Sequence, residues 1–230
     1  MRDKVMCGRF AFFNAEGFED AFGTFNPLPS LLFSYNISPG RSIPAVLRGG
    51  SGTPEVVFAK WGLVPSWKKN DESGAWLINA RSDSLTEKPA FRDNFREHRC
   101  LIPANGFYEW KHEGTRKVPY YIHFDRLLIA LAGIYDTWTA PEGDGRTSCC
   151  IITTGANAEV KQVHDRMPAV LSKEDCRRWI SPELSQDDYL EMLKPYPVEE
   201  TEIYAVDSKV NSPEAEGPGL IERIDSGGWW

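Results

Sequence analysis

No C-x-x-C pair occurs among the five cysteines, Cys7, Cys100, Cys149, Cys150 and Cys176, and their number is odd. A disulfide framework and a cysteine-only zinc site therefore lack support. The four histidines, His98, His112, His123 and His164, show no H-x-x-x-H spacing, so metal catalysis is the weakest reading and no metal or cofactor is expected. No apolar run reaches the length of about 18 residues that would suggest a membrane span. The opening MRDKVMCGRF has no apolar stretch of the signal-peptide kind, which makes the cytoplasm the expected compartment. Internal repeats, low-complexity tracts and a recognisable linker are also missing, so one domain is the economical expectation.

What is present favours a substantial core. Apolar residues make up 41% of the 230 residues, and eight tryptophans are enough that some should lie exposed. The net charge of -7 is unevenly spread: residues 1–120 carry 16 basic and 13 acidic side chains, residues 121–230 carry 10 and 20. A nucleic-acid partner is thus not excluded by the total, and local arginines decide the matter. Cys100, Cys149 and Cys150 stand in apolar runs and read as buried small hydrophobes.

Segments rich in β-branched and aromatic residues dominate the middle: EVVFAKW (55–61), RCLI (99–102), GFYEWK (106–111), VPYYIHF (118–124), LLIALAGIY (127–135) and SCCIITT (148–154). The short joins HEGTRK (112–117) and APEGDGRT (140–147) favour antiparallel pairing. Helices are expected at 14–23, at 86–98 with Thr86 as cap, at 156–164, at 172–180 behind Ser172 and Asp175, and after Ser185 with Asp188. The fold class is α+β.

Four stretches set reactive or charged residues beside apolar ones: CGRF (7–10), INAR (78–81), GFYEW (106–110) and VHDRMP (163–168). Strand alternation puts Glu109 on the face of Phe107; if that face is the core, Glu109 is a buried carboxylate suited to general acid chemistry, and otherwise it is a solvated strand residue. His164 can exchange protons near neutrality or be merely structural. Asn79 and Arg81 share a face of an extended segment and could orient a substrate or bind phosphate. Cys7 follows Met6. If the chain begins at Met6 and the methionine is removed, Cys7 carries a free amine, with pKa roughly 7.7–8.0, beside its thiol. Such an amine attacks an aldehyde, and the thiol then closes a thiazolidine ring. Cys7 as a thiolate nucleophile with His164 as base and Asn79 as orienter is the competing chemistry, and a core cysteine in a first strand is the bland one.

In this order, MCGRF, YNISPG (35–40), WGLVPSW (61–67), INARSDSLTEKPAFRDNFREHRCLIPANGFYEW (78–110), LAGIYDTW (131–138), ITT (152–154) and VHDRMP resemble the SOS-response-associated peptidase (SRAP) family over almost the whole chain. The resemblance implies a single domain built on a distorted, barrel-like antiparallel sheet with a few flanking helices. It implies a shield for abasic sites in single-stranded DNA, formed as a thiazolidine crosslink through Cys7. Asn79 would hydrogen-bond the reacting centre, and Glu109 and His164 would move protons. Arg9, Arg81 and Arg166 would contact phosphates, with Arg92 and Arg96 as further candidates; Pro39 and Trp67 would stack or wedge beside the lesion. Lys68 and Lys69 stand where some relatives have a second tryptophan. Residues 1–6 are expected to be an extension or mis-assigned start, ahead of a domain over 7–230. No membrane or metal partner is implied, and a monomer is the default. A thiol peptidase and a non-covalent single-stranded DNA-binding module are the alternatives.

Overall fold

The computed structural model describes residues 7–24, 28, 33–68, 77–139, 143 and 145–224. Lys69 and part of the 140–147 join lie outside them. In chain order the strands are β1 (Phe10–Phe12), β2 (Ser34–Ile37), β3 (Ser42–Arg48), β4 (Pro54–Trp61), β5 (Asn79–Arg81), β6 (Arg99–Ala104), β7 (Gly106–Glu113), β8 (Arg116–Phe124), β9 (Ile129–Thr139), β10 (Gly145–Gly155), β11 (Arg166–Pro168), β12 (Val170–Leu171) and β13 (Thr201–Ala205). The helices are α1 (Phe18–Phe22), α2 (Pro89–Glu97), α3 (Lys173–Ile180) and α4 (Gln186–Glu191).

Five strands close on themselves in the order β10-β4-β3-β6-β9 and back to β10. Closure removes the exposed edges that an open sheet of such apolar strands would present. Within the ring the β4–β10 contact is parallel, pairing Lys60 with Ser148 and Trp61 with Cys149, while the others are antiparallel. β5 also joins β10 in parallel. These two parallel contacts are added to those of the strands joined at 112–117 and 140–147, which pair antiparallel as expected. They arise because β10 is long: its first half completes the ring and its second half continues past the rim, where β5 and β11 flank it.

A second sheet, β13-β8-β7-β1-β2, packs against the barrel. The two sheets meet at a corner one residue long. Asn105 alone separates β6 from β7. Its amide oxygen accepts from the backbone nitrogens of Phe13 (2.7 Å) and Asn14 (3.0 Å), and its Nδ2 donates to the carbonyls of Asn14 and Leu127. One buried side chain thus satisfies four main-chain groups where the chain changes sheet.

Both faces of β1 and β7 are covered. Phe10, Phe12 and Phe107 join the main core with Trp61, Ile102, Ile134 and Ile151. The intervening Ala11 and Tyr108 join a smaller core roofed by Val206, Val210 and Leu220. This double burial explains why GFYEW carries apolar residues at successive positions instead of alternating cleanly.

The helix ends follow local chemistry. Ser172 accepts from the Asp175 nitrogen at 3.1 Å, and Ser185 with Asp188 forms a reciprocal capping box. Two expectations fail. α2 is capped by Lys88 without a side-chain bond, not by Thr86, because Pro89 at the first helical position fixes the start there. Residues 156–164 form no α-helix, only a 3-10 turn at Val160–Gln162. Asn157 holds the Val160 nitrogen with its side-chain oxygen while its Nδ2 is tied to the Tyr196 carbonyl and Thr201 Oγ1, which replaces helical bonding with tertiary bonding.

Gly133, in the middle of β9, lets two ring strands approach. A Cβ there would sit 2.8 Å from Cys100 Sγ, 2.9 Å from Ile102 Cδ1 and 3.1 Å from the Cys150 carbonyl. Gly133→Ala is therefore expected to destabilise the fold by about 1–3 kcal/mol in urea denaturation; a loss below about 0.5 kcal/mol would show that the ring has slack at this point.

Candidate active site

The antiparallel register of β1 on β7 pairs Phe10 with Phe107, and the Tyr108 nitrogen donates to the Arg9 carbonyl at 3.0 Å. Followed back toward the start of the chain, this register brings residues 7 and 8 level with Glu109. The Cys7 backbone nitrogen donates to Glu109 Oε1 at 2.6 Å. Glu109 is only 3% exposed, and Cys7 is fully buried. Cys7 is also the only non-glycine among the described residues with a positive φ, 37°. A left-handed conformation costs an L-residue about 1–2 kcal/mol, so the packing around Cys7 over-determines its place.

Burial dominates the electrostatics here. It pushes the Glu109 carboxyl up to about 7, partly offset by hydrogen bonds from the Cys7 and Trp110 backbone. The Cys7 thiol is driven well above its ordinary range, first by burial and then by the neighbouring Glu109 carboxylate. The thiol therefore stays protonated near neutrality, while the carboxyl is poised to give or take a proton.

A second group assembles around β10. β5 sets Arg81 opposite Thr153, and β11 sets Arg166 opposite Gly155. Arg81 binds Asp83 through two bonds, 3.0 Å and 2.7 Å, and Arg166 Nη1 reaches the same Asp83 Oδ2 at 3.2 Å. Arg166 Nη2 also donates to the Thr153 carbonyl at 2.5 Å. The Arg166 backbone nitrogen donates to His164 Nδ1 at 3.1 Å, which puts the proton of the neutral imidazole on Nε2. Asn79 begins β5, half-buried, on the same face as the exposed Arg81.

Trp61 joins the two groups. Its ring packs edge-on against Phe10 at 5.1 Å, and its Nε1 donates to the Ile78 carbonyl, one residue before Asn79. Its carbonyl accepts from the Gly40 nitrogen at 2.7 Å, which fixes the turn carrying Pro39. Beyond Trp61 the chain leaves the barrel and displays Trp67 with 69% of its surface exposed. That loop is held firmly: Asp136 accepts from the Ser66 nitrogen at 2.8 Å, Ser148 Oγ accepts from the Val64 nitrogen at 2.9 Å, and Trp138 Nε1 donates to the Lys68 carbonyl at 2.8 Å. An exposed indole on an anchored loop can stack against a planar group with little ordering cost.

Comparison with known proteins agrees with this architecture. Residues 6–213 match the model of the family described as SOS response associated peptidase (SRAP). The abasic site processing protein YoqW of Bacillus subtilis (strain 168) is 40% identical over 225 residues, spanning 94% of this chain and 99% of that one. The abasic site processing protein HMCES of Xenopus tropicalis is 31% identical, spanning 83% of this chain and 66% of that one. A crystal structure of a protein from Bacteroides thetaiotaomicron superposes with a TM-score of 0.85 at 30% identity, covering 95% of this chain and all of that one. The chain belongs to the SRAP family.

Within this SRAP fold the predicted residues separate. Cys7 meets Glu109 directly, and Asn79, Arg81, His164 and Arg166 gather along β5, β10 and β11. Arg9 is only 9% exposed and turns to the other face of its sheet, where Nη1 donates to Asn36 Oδ1 at 2.6 Å and to the Val210 carbonyl at 2.9 Å. Arg92 and Arg96 pair with the adjacent Asp93 and Glu97 on the exposed face of α2. Among the described residues no three His, Cys, Asp or Glu side chains gather as a metal-binding group, and no helix is long and apolar enough to cross a membrane. Sequence reasoning missed Asp83, Thr153 and Asp136. The R-S-D spacing of Arg81 and Asp83 was a readable ion-pair signal; nothing local marked Asp136, which besides the adjacent Thr137 nitrogen holds partners 42 and 70 residues away.

Two outcomes are expected. Because the Glu109 carboxyl is raised in the folded state, the unfolded chain loses this proton first. Stability should therefore fall as pH rises from about 4.5 to about 7. Glu109→Gln should remove that slope, measured by urea titrations across the window; an unchanged slope would assign it to other groups. Asp136→Ala leaves the Ser66 and Thr137 nitrogens unsatisfied and should cost about 1–3 kcal/mol. Amide exchange at residues 64–68 should accelerate more than exchange in the barrel strands.

Proposed function

We propose that this SRAP protein captures abasic sites in single-stranded DNA as a covalent adduct through Cys7. The observation that carries the reading is the 2.6 Å contact between the Cys7 nitrogen and a buried carboxyl held near 7. The chemistry needs Cys7 to lead the chain, either by a start at Met6 with methionine removal or by cleavage after Met6. The nitrogen beside Glu109 is then an α-amine.

The open-chain form of an abasic deoxyribose is an aldehyde. Glu109 takes a proton from the Cys7 ammonium, and the free amine adds to C1′ to give a carbinolamine. Returning the proton to the hydroxyl releases water and leaves a protonated Schiff base. The Cys7 sulfur then attacks the same carbon. Its proton passes to the carboxylate, the C=N electron pair returns to nitrogen, and a five-membered thiazolidine closes. Schiff-base formation returns Glu109 to the carboxylate it started as; ring closure leaves it protonated, and that proton is lost to solvent or handed back to sulfur when the ring reopens, so a group titrating near neutrality suits both directions. His164, through Nε2, serves the ring-opening proton transfer, and Asn79 hydrogen-bonds the sugar at the reacting carbon. Arg81 and Arg166 contact flanking phosphates, while Trp67 with Pro39 stacks on the neighbouring base. Arg9 supports the wall of the site from the far face of the sheet.

The raised Cys7 thiol disfavours the thiol-peptidase alternative, which needs a standing thiolate. The readings separate cleanly in experiment. Protein beginning at Cys7 should form a heat-stable adduct with single-stranded DNA bearing an abasic site. Cys7→Ser keeps the amine and should yield an adduct that survives heating only after borohydride reduction. Acetylating the amine should abolish both. A stable adduct surviving Cys7→Ala would defeat the assignment, and lesion-independent, salt-sensitive binding alone would favour the non-covalent module.

A further inference from the structure

Arg81 and Arg166 stand on strands that flank β10, and both point to one carboxylate. Asp83 Oδ2 accepts from Arg81 Nη2 at 2.7 Å and from Arg166 Nη1 at 3.2 Å, while Oδ1 accepts from Arg81 Nε at 3.0 Å. The arrangement is accessible: the Arg81 and Asp83 side chains are 47% and 50% exposed, and Arg166 is 12% exposed. Without a shared anion the two guanidinium groups would repel: burial lowers the pKa of Arg166 most, the neighbouring Asp83 carboxylate raises it, and Arg81 lowers it further. Arg166 is further fixed by the Thr153 carbonyl and hydroxyl at 2.5 Å and 3.3 Å. Two arginines converging on paired oxygens is the geometry by which guanidinium groups bind a phosphate.

We propose that Asp83 is a positioning residue, an internal stand-in for a DNA phosphate that keeps Arg81 and Arg166 aimed at one point until the backbone of the strand takes its place. This rests on the DNA-binding function proposed above. Rotamer freedom of two long side chains is lost before binding, which favours a correctly placed phosphate. An exposed pair of this kind is weak, so a phosphate can displace it. The displaced carboxylate stays nearby and opposes the incoming charge. Undamaged single strands, which gain no covalent bond at Cys7, bear that opposition uncompensated. Asp83 thereby lowers the non-covalent affinity for every strand, and undamaged strands, which are not trapped at Cys7, leave sooner.

The test compares wild type, Asp83→Asn and Asp83→Glu, each beginning at Cys7. Asp83→Asn should bind an undamaged single-stranded oligonucleotide about three- to tenfold more tightly at low salt, with a log–log salt slope steeper by about 0.7 for the one additional phosphate neutralised. Its advantage should shrink about 2.6-fold between 50 and 200 mM salt, as that slope requires. Dissociation of the undamaged oligonucleotide should slow accordingly, and Asp83→Glu should restore part of the faster release. Independently of DNA, relaxation of the arginine Nε–Hε signals should show Arg81 losing order in Asp83→Asn. Unchanged arginine order, or unchanged affinity and slope in a protein that binds DNA, would overturn the proposal. If wild type does not bind single-stranded DNA, the function proposed above fails and the relaxation data alone decide whether Asp83 holds the arginines.

Discussion

A hydrogen bond between a main-chain nitrogen and a buried carboxyl organises the site: Cys7 to Glu109, 2.6 Å, out of contact with solvent. A carboxylate in such surroundings is costly unless donors face it, and it responds by holding its proton more tightly. Glu109 has donors, but burial outweighs them and leaves it near 7. The position of Cys7 is dictated from the other side as well. Its left-handed backbone turns the chain out of β1's alternation, so that its nitrogen meets a residue on the barrel side of β7.

The fold makes this contact durable by building β1 and β7 into the middle of a sheet with cores on both faces. Phe10 and Phe107 are locked into the main core, Ala11 and Tyr108 into the smaller one. A slip of one residue would exchange every side chain between the two cores, so the register that places Cys7 beside Glu109 is strongly specified. The segment carrying Val206, Val210 and Leu220 is part of that specification, since it roofs the second core and receives Arg9 through the Val210 carbonyl. Trp61 carries the constraint to the barrel, touching Phe10 with its ring and the residue before Asn79 with its indole nitrogen. The Cys7–Glu109 contact and the polar residues along β10 are thus positioned by one shared core.

Charge is handled differently in the two halves of the site. Near Cys7 a single carboxyl is kept dry and its protonation is adjustable. Along β5, β10 and β11 two cations and one anion lie near solvent, where Asp83 stays below the ordinary carboxylate range chiefly through its Arg81 hydrogen bonds. The first arrangement suits proton transfer at a reacting carbon. The second suits recognition of a charged backbone, which must be reversible and sensitive to salt.

The strands of the barrel were legible in the sequence because their β-branched and aromatic runs reflect burial, a property carried by residue type. The Ser172 and Ser185 caps were legible because their partners lie within one turn. Cys7, Asn79, Glu109 and His164 could be named as reactive types in suggestive company, and the ordered motifs identified the family. The 156–164 segment was misread as a helix because Asn157 bonds to Tyr196 and Thr201, some forty residues on. The same limit hid Asp136 and the turn of Arg9 toward Val210. The sequence by itself determined which side chains could do chemistry and which segments would be buried. Only the tertiary structure decided that Glu109 is dry and faces Cys7, that Arg81 and Arg166 share Asp83, and that Trp67 stands clear of the core. Those facts depend on distance and desolvation between strands remote in sequence, which no local pattern encodes.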